Sequence, residues 1–418
     1  RIRLSPTVMA PPGIPVEAPI KPGTPPADLS SERTTSPLFP ATKSSAPAGA
    51  PRLHGDLPKA AAAAAAAPVP SLAEIKAVIP AHCFKPSLAR SMAYVAQDAA
   101  IIGGLYALAW AFANVDGLKK FNAAFLPAFW FFQGFMFWAV FVLGHDCGHG
   151  SFSRYPAINA FMGHLLHSAI LVPFHSWRIS HRTHHKNTGN YEKDQIFHPY
   201  TESTPRSKTA SIVADELYFV LPLAYPLYLL SGYARPSNHL NPNDEYLFTD
   251  SERPLIRTSA ACWYAMLALL GGLAIKFGLG FVVKYYFVPY FVYCAWLALV
   301  TFLHHTRPGT KWYNTKNWNY VKGNLESIDR VYGWFEYFHH DIGTHVVHHL
   351  FPAIPHYHLR EANAAVKPML GDLHNKSEED IVESFFVSYD AWRKSNVIPD
   401  DTDVFVIPPV EKAAKKQD

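Results

Sequence analysis

Cysteine is scarce and scattered in this 418-residue chain: Cys83, Cys147, Cys262 and Cys294 lie far apart, and no Cys-x-x-Cys pair occurs. That excludes a zinc ribbon, a dithiol oxidoreductase and a disulfide framework, and it leaves four reduced, buried thiols. Charge is thin as well. Charged residues make up 17% of the chain and the formal net charge is only +4. So small an excess does not hold a polyanion, and nucleic acid is excluded as a partner.

What is abundant is apolar surface and histidine. Apolar residues reach 49%, aromatics 14%, and there are 22 histidines. Eight of these fall between His145 and His185, and seven between His339 and His358. Imidazole is the commonest protein metal ligand, so the clustering points to metal.

Residues 1–72 are different material. They hold 15 of the 35 prolines, an alanine run from Ala60 to Ala67, and seven Lys or Arg against four Asp or Glu. Such a segment buries too little apolar surface to offset its ordering entropy, so a disordered leader is expected. Its basic, Ser-rich, acid-poor character matches an organelle transit peptide, here a plastid one. The lysines at Lys415 and Lys416 read as a solvated tail rather than an endoplasmic-reticulum retrieval signal.

Four apolar runs follow: Ala99 to Val115, Phe121 to Gly144, Ser259 to Ile275 and Phe281 to Leu303. About 20 apolar residues cross a bilayer's hydrocarbon as a helix, so these pair into two transmembrane hairpins. A fifth run, Glu216 to Gly232, contains Pro222 and Pro226 and is expected to be interfacial or re-entrant. The hairpin turns carry only Lys119, Lys120, Lys276 and Lys284, whereas Arg154, Arg178, Arg182, Lys186, Lys193 and Arg206 lie on the other side. That excess marks the cytoplasmic or stromal face. Parity agrees: a third span between the histidine clusters would strand the last cluster on the opposite face. The expected fold is an all-α integral membrane protein of four spans with a helical cap. The expected domains are the leader, a membrane domain over 73–367, and a C-terminal extension over 368–418.

Three histidine clusters have helical spacing. His145 and His149 stand at i and i+4; His181, His184 and His185 at i, i+3 and i+4; and His345, His348 and His349 repeat that pattern. Each set shares one helix face. Eight imidazoles at one membrane surface suit two metal ions, since a single zinc needs three or four ligands. His305, closing the fourth span, is the expected ninth ligand, with His304 as the alternative. His339 and His340 are expected either beside the cluster or as members of it, and His164, His167 and His175 mainly in structural roles or supporting the ligands. Asp146, Asp194 and Asp341 are candidates to accept the second ring N–H of ligand histidines.

The runs FVLGHDCGHGSF (141–152), GHLLHSAILVPFHSWRISHRTHH (163–185) and HHDIGTHVVHHLFPAIPHYHL (339–359) make this sequence similar to the integral-membrane fatty acid desaturases, within their plant and algal methyl-end branch. The likeness extends from about Ile75 to about Lys367. Asp146 and the Gly150-Ser151-Phe152 run after the first cluster resemble the omega-3 members. The residues after the second cluster, 186–200, diverge more than the clusters themselves, so the resemblance does not extend to head-group or chain-length preference. The resemblance implies a di-iron centre held by the eight cluster histidines. It also implies dioxygen as co-substrate, and glycerolipid acyl chains of the linoleoyl type converted to the linolenoyl type. The electron donor would be ferredoxin in a plastid, or cytochrome b5 in the endoplasmic reticulum. No His-Pro-Gly-Gly haem motif occurs, so a fused cytochrome is not expected.

Rival chemistries on the same scaffold are omega-6 (Δ12) desaturation, hydroxylation, acetylenic-bond formation and carotenoid oxygenation. A membrane zinc protease would use His145-Asp146-Cys147-Gly148-His149 as a variant of His-Glu-x-x-His, but it leaves the other two clusters without a role. A metal transporter or store would favour low-complexity histidine loops or ligands inside the spans, unlike these clusters at span ends.

Overall fold

The computed structural model describes residues 69–204, 220–233 and 235–409. All but the last four residues of the expected leader, and the lysine-rich end, lie outside the described residues. The chain enters through α1 (Leu72–Val78), whose start is fixed by a reciprocal Ser71–Glu74 capping box. A short turn, Ala81–Phe84, leads to α2 (Leu88–Asn114), capped by the Ser87 side chain on the Arg90 N–H. Then come α3 (Asn122–His149), α4 (Pro156–Ala169), α5 (Phe174–Asn187), α6 (Leu221–Ser231), α7 (Arg253–Phe277) and α8 (Val288–His305). The cap is completed by α9 (His345–Leu350), α10 (His356–Leu370) and α11 (Ile381–Ser395).

Among the described residues, four helical segments are long and apolar enough to cross a membrane: Leu88–Asn114, Asn122–His149, Asp250–Phe277 and Leu279–His305. They match the expected runs in number and order but are longer at their ends. The first begins at Leu88, because a capped helix start needs no apolar run; the apolar stretch marks only the part that meets hydrocarbon. The second runs on through the first histidine cluster. The last contains a π-turn at Val283–Phe287. Both hairpin turns share one end of the bundle: the Trp130 indole N–H donates to the Lys284 carbonyl at 2.8 Å, and the Tyr106 hydroxyl to the Tyr285 carbonyl at 3.0 Å.

The proline-bearing fifth run forms only α6, 11 residues, or about 16 Å at the rise of an α-helix, too short to span. Residues 216–219 of that run lie outside the described residues. α4 and α5 form a second non-straight element, bent by 102°, with Leu171 at a positive φ of 55° in the bend. α5 therefore leaves the bundle and lies under the cap.

The cap is not purely helical. Tyr200–Thr201 pairs in parallel with Val397–Ile398, Lys311–Tyr313 antiparallel with Val404–Val406, and Asp329–Arg330 in parallel with Lys376–Ser377. Each ribbon is two or three residues long, and together they tie the chain after residue 375 onto the loops flanking the second and third histidine clusters. Trp312 and Trp392 are fully buried there with Ile398 and Ile407.

Candidate metal centre

α3 delivers His145 and His149 because it does not stop at the bilayer edge. Its end is set by Gly150, at φ 75°, whose N–H closes onto the Asp146 and Cys147 carbonyls. That left-handed cap suits glycine, which has no Cβ to strain. One residue before His145, Gly144 lets the helix lie against the His167 ring; a Cβ at this position would come within 2.1 Å of it. α5 presents His181, His184 and His185, α8 ends on His304 and His305, and α9 is the third cluster itself.

These histidines sort into two groups. The ligand atoms of His145, His149, His181, His185 and His348 all lie within 4.8 Å of one another, as do those of His184, His305 and His349. His345 joins the second group, with its Nε2 3.1 Å from His305 Nε2. The groups touch where the His185 and His349 rings stack at 4.1 Å.

Within each group, ring nitrogens face ring nitrogens. His145 Nε2 and His149 Nε2 are 3.2 Å apart, His181 Nε2 and His185 Nε2 3.0 Å, and His184 Nε2 and His305 Nε2 3.2 Å. For two of these rings the hydrogen bonds assign the proton to the far nitrogen. The His184 Nδ1–H donates to Asp194 at 2.9 Å. His349 Nδ1 faces Asn324 Oδ1 and a Thr188 hydroxyl that already donates to the His184 carbonyl, so Nδ1 must be the donor. The Nε2 lone pairs of both rings then point into the cluster, and buried His348 Nε2 and His349 Nε2 meet no hydrogen-bond partner. Inward lone pairs at about 3 Å repel unless a cation lies between them, so the donor set fits metal. Burial first, then neighbouring imidazoles, push His345, His348 and His349 well below the ordinary imidazole value. They are neutral at pH 7, as ligands must be.

The His304–His305 alternative separates by geometry. The His304 ring meets the Ile328 carbonyl and, 3.0 Å away, the Tyr332 hydroxyl, both outside the groups, whereas His305 faces His184 and His345. His339 takes the Trp296 indole N–H at 2.7 Å, and His340 pairs with Asp98 at 2.8 Å. His167 meets the Phe141 carbonyl, and His164 packs edge-on to His175.

Of the three candidate carboxylates, Asp194 orients His184 directly. Asp146 stands 3.7 Å from His145 Nδ1 and bonds the ring and backbone N–H of His356 at 2.9 and 3.1 Å. Asp341 does not reach a cluster imidazole; its carboxylate pairs with Arg360. Sequence reasoning missed Asp329, which accepts the Val346 N–H at 2.8 Å and so fixes the first turn of α9, while its other oxygen takes His374 and Asn363. It also missed His356, Asn324 and Thr188. Nothing in local spacing marks them, because every contact is long-range.

Beside the second group lies an apolar cavity lined by Trp138, Phe141 and Val142 of α3, Leu297, Val300 and Thr301 of α8, Tyr225 and Tyr228 of α6, and Ile196 and Phe197. His145, His181, His184, His304, His305 and His345 also line it. An apolar slot that ends on imidazoles suits a hydrocarbon chain.

A fatty acid desaturase family model matches residues 122–377, from the start of α3 through all three clusters. The chain belongs to the fatty acid desaturase family. This desaturase is 49% identical over 322 residues to an "Omega-3 fatty acid desaturase, chloroplastic" of Ricinus communis, covering 75% of this chain and 68% of that one. It is 47% identical over 319 residues to the "sn-1 acyl-lipid omega-3 desaturase (ferredoxin)" of a Nostoc strain, covering 76% and 86%. It is also 49% identical over 316 residues to a "Temperature-sensitive sn-2 acyl-lipid omega-3 desaturase (ferredoxin), chloroplastic" of Arabidopsis thaliana, covering 74% and 70%. In the desaturase Asp146 bonds the ring and backbone N–H of His356 and stands beside His145 Nδ1, the place of a carboxylate that orients a histidine rather than of a zinc protease's general base.

Proposed function

We propose that this chain is an acyl-lipid omega-3 desaturase of a chloroplast membrane, taking electrons from ferredoxin. The single observation that carries the reading is the apolar cavity between α3, α6 and α8 ending on two groups of inward-facing imidazoles. The omega-3 assignment draws support from relatives named so at 47–49% identity, and the ferredoxin assignment from the Nostoc and Arabidopsis relatives, whose names carry that word.

His145, His149, His181, His185 and His348 would hold one iron; His184, His305, His345 and His349 would hold the other. Imidazole suits iron. When bound, the iron pair supplies the oxidising power that an unactivated methylene requires. The reaction removes two hydrogens from adjacent carbons of the chain to form a double bond, and dioxygen with two external electrons and two protons becomes two waters.

The protein's own part is placement. Trp138, Phe141, Phe197 and Tyr225 exclude water and confine the acyl chain, because a displacement of about 1 Å can cost about 100-fold in rate. Asp194, Thr188 and Asn324 fix ring orientation and tautomer. A lipid-bound substrate stays in the bilayer, since exposing its chain to water costs about 0.8 kcal/mol per CH₂.

The test is expression in a host that makes linoleate but no alpha-linolenate, with fatty acids analysed by gas chromatography. A new 18:3 acid with its last double bond three carbons from the methyl end is expected. Conversion of oleate to linoleate, or a hydroxylated product, refutes the omega-3 reading. Purified protein should contain two irons per chain, and reduced ferredoxin should support turnover where cytochrome b5 does not.

A further inference from the structure

A second set of metal-binding side chains lies outside the histidine centre. His82 and Cys83 come from the Ala81–Phe84 turn before α2, and His358 and Glu361 from the first two turns of α10. Their ligand atoms all lie within 4.8 Å of one another. His82 Nε2 is 2.9 Å from the Glu361 carboxylate, and His358 Nδ1 is 3.5 Å from it. The two imidazoles meet edge to face at 5.3 Å. Cys83 is fully buried and not in a disulfide, while His82 and Glu361 are open to solvent.

From this arrangement we propose that His82, Cys83, His358 and Glu361 form a binding site for one zinc-class divalent ion, separate from the histidine centre. Two imidazoles, a thiolate and a carboxylate are a borderline-soft set, which zinc takes at four-coordinate tetrahedral sites. Hard ions such as calcium and magnesium prefer all-oxygen shells and are poorly served here. Burial first, then the Glu361 carboxylate, push the Cys83 thiol up to about 11, so the ion takes up the thiolate and releases one proton to solvent. The exposed side gives a path in, and the buried thiol supplies the anchor. The ion stitches the segment before the first span onto α10. That helix begins at His356, whose ring bonds Asp146 beside His145. The four cysteines read as inert thiols from their spacing, and Cys83 departs from that reading because His358 and Glu361, which complete the group, lie nearly 280 residues further along the chain.

Cobalt(II) is the probe, added to the iron-loaded full-length protein in detergent. One cobalt per chain beyond the iron is expected, with thiolate-to-cobalt charge-transfer absorption, which an all-imidazole centre cannot produce. Cys83→Ser should abolish that absorption, and His82→Gln should weaken binding by at least about tenfold. Zinc should displace the cobalt and raise the melting temperature of the wild type but not of the H82Q/C83S double variant. No charge-transfer band, or equal extra cobalt in wild type and double variant, overturns the site. The readout is metal binding and not turnover, so it stands or falls independently of the desaturase reading.

Discussion

The inner spans α3 and α8 and the outer spans α2 and α7 are similarly apolar. Their surroundings differ completely. In the most apolar window, 67% and 56% of inner-span residues are buried within the protein, against 11% and 6% of outer-span residues. Hydropathy reports solubility in a bilayer, not which neighbour, lipid or protein, satisfies it. Two local features separate the pairs. The inner spans end in histidine at the cap side. They also approach closely at Gly134, where a Cβ would come within 2.5 Å of the Pro289 carbonyl, the small-residue contact by which membrane helices pack.

The largest expected effect of breaking this contrast is at the inner ends. Alanine at any of His145, His149, His181, His184, His185, His305, His345, His348 or His349 should abolish desaturated product while the protein still inserts. Metal analysis should show iron lost with activity. The half-buried His164, whose ring nitrogens meet no partner, is the control, and His164→Ala should stay close to wild type. Wild-type activity from two of the nine variants would break the ligand assignment.

That prediction also shows how much was legible. Four spans, three clusters and the shared face followed from runs and spacing, because both are local signals. The expectation of His305 over His304 rested on its place at the span end alone. Adjacent residues at a helix end differ by one rotation, and the Ile328 carbonyl and Tyr332 hydroxyl that hold the His304 ring come from a distant loop. Asp341 failed as an orienting carboxylate for the same reason. Arg360, 19 residues on, claims it, while Asp98, within α2, reaches His340. The cap's short ribbons pair segments up to about 200 residues apart, with no alternation long enough to announce a strand.

A smaller effect is expected one shell out. Asp194→Asn keeps the shape but weakens the acceptor that holds the His184 tautomer. Loss of such a partner lowers metal affinity by about 10–100-fold. Iron titration of the apoprotein should show half-occupied sites at concentrations that fill the wild type, with the second iron weakened more than the first. Equal weakening of both irons would show that the two histidine groups act as one.

Next comes packing between inner elements. Gly144→Ala drives a methyl into the His167 ring, and overpacking of this kind costs about 1–3 kcal/mol. Because His145 is the next residue, the strain should reach the centre. Thermal unfolding in detergent should fall and product yield should drop, while total iron falls less than in the histidine variants. An unchanged melting temperature would mean that α3 and α4 are looser than their contact distance implies.

The smallest effect is expected on an outer span. Leu269 of α7 is 56% exposed to the surroundings of the protein, which for this face is lipid. Truncation there leaves no cavity, because an acyl tail fills the space as well as the side chain did, so Leu269→Ala should change stability by less than about 0.5 kcal/mol. Leu143, fully buried on α3, is the matched deletion. There no lipid can follow, and Leu143→Ala should cost about 2–5 kcal/mol. Measured side by side in nanodiscs, a large cost at Leu269 would show a protein partner on the outer face. A small cost at Leu143 would show lipid between the inner spans, where their burial leaves no room for it.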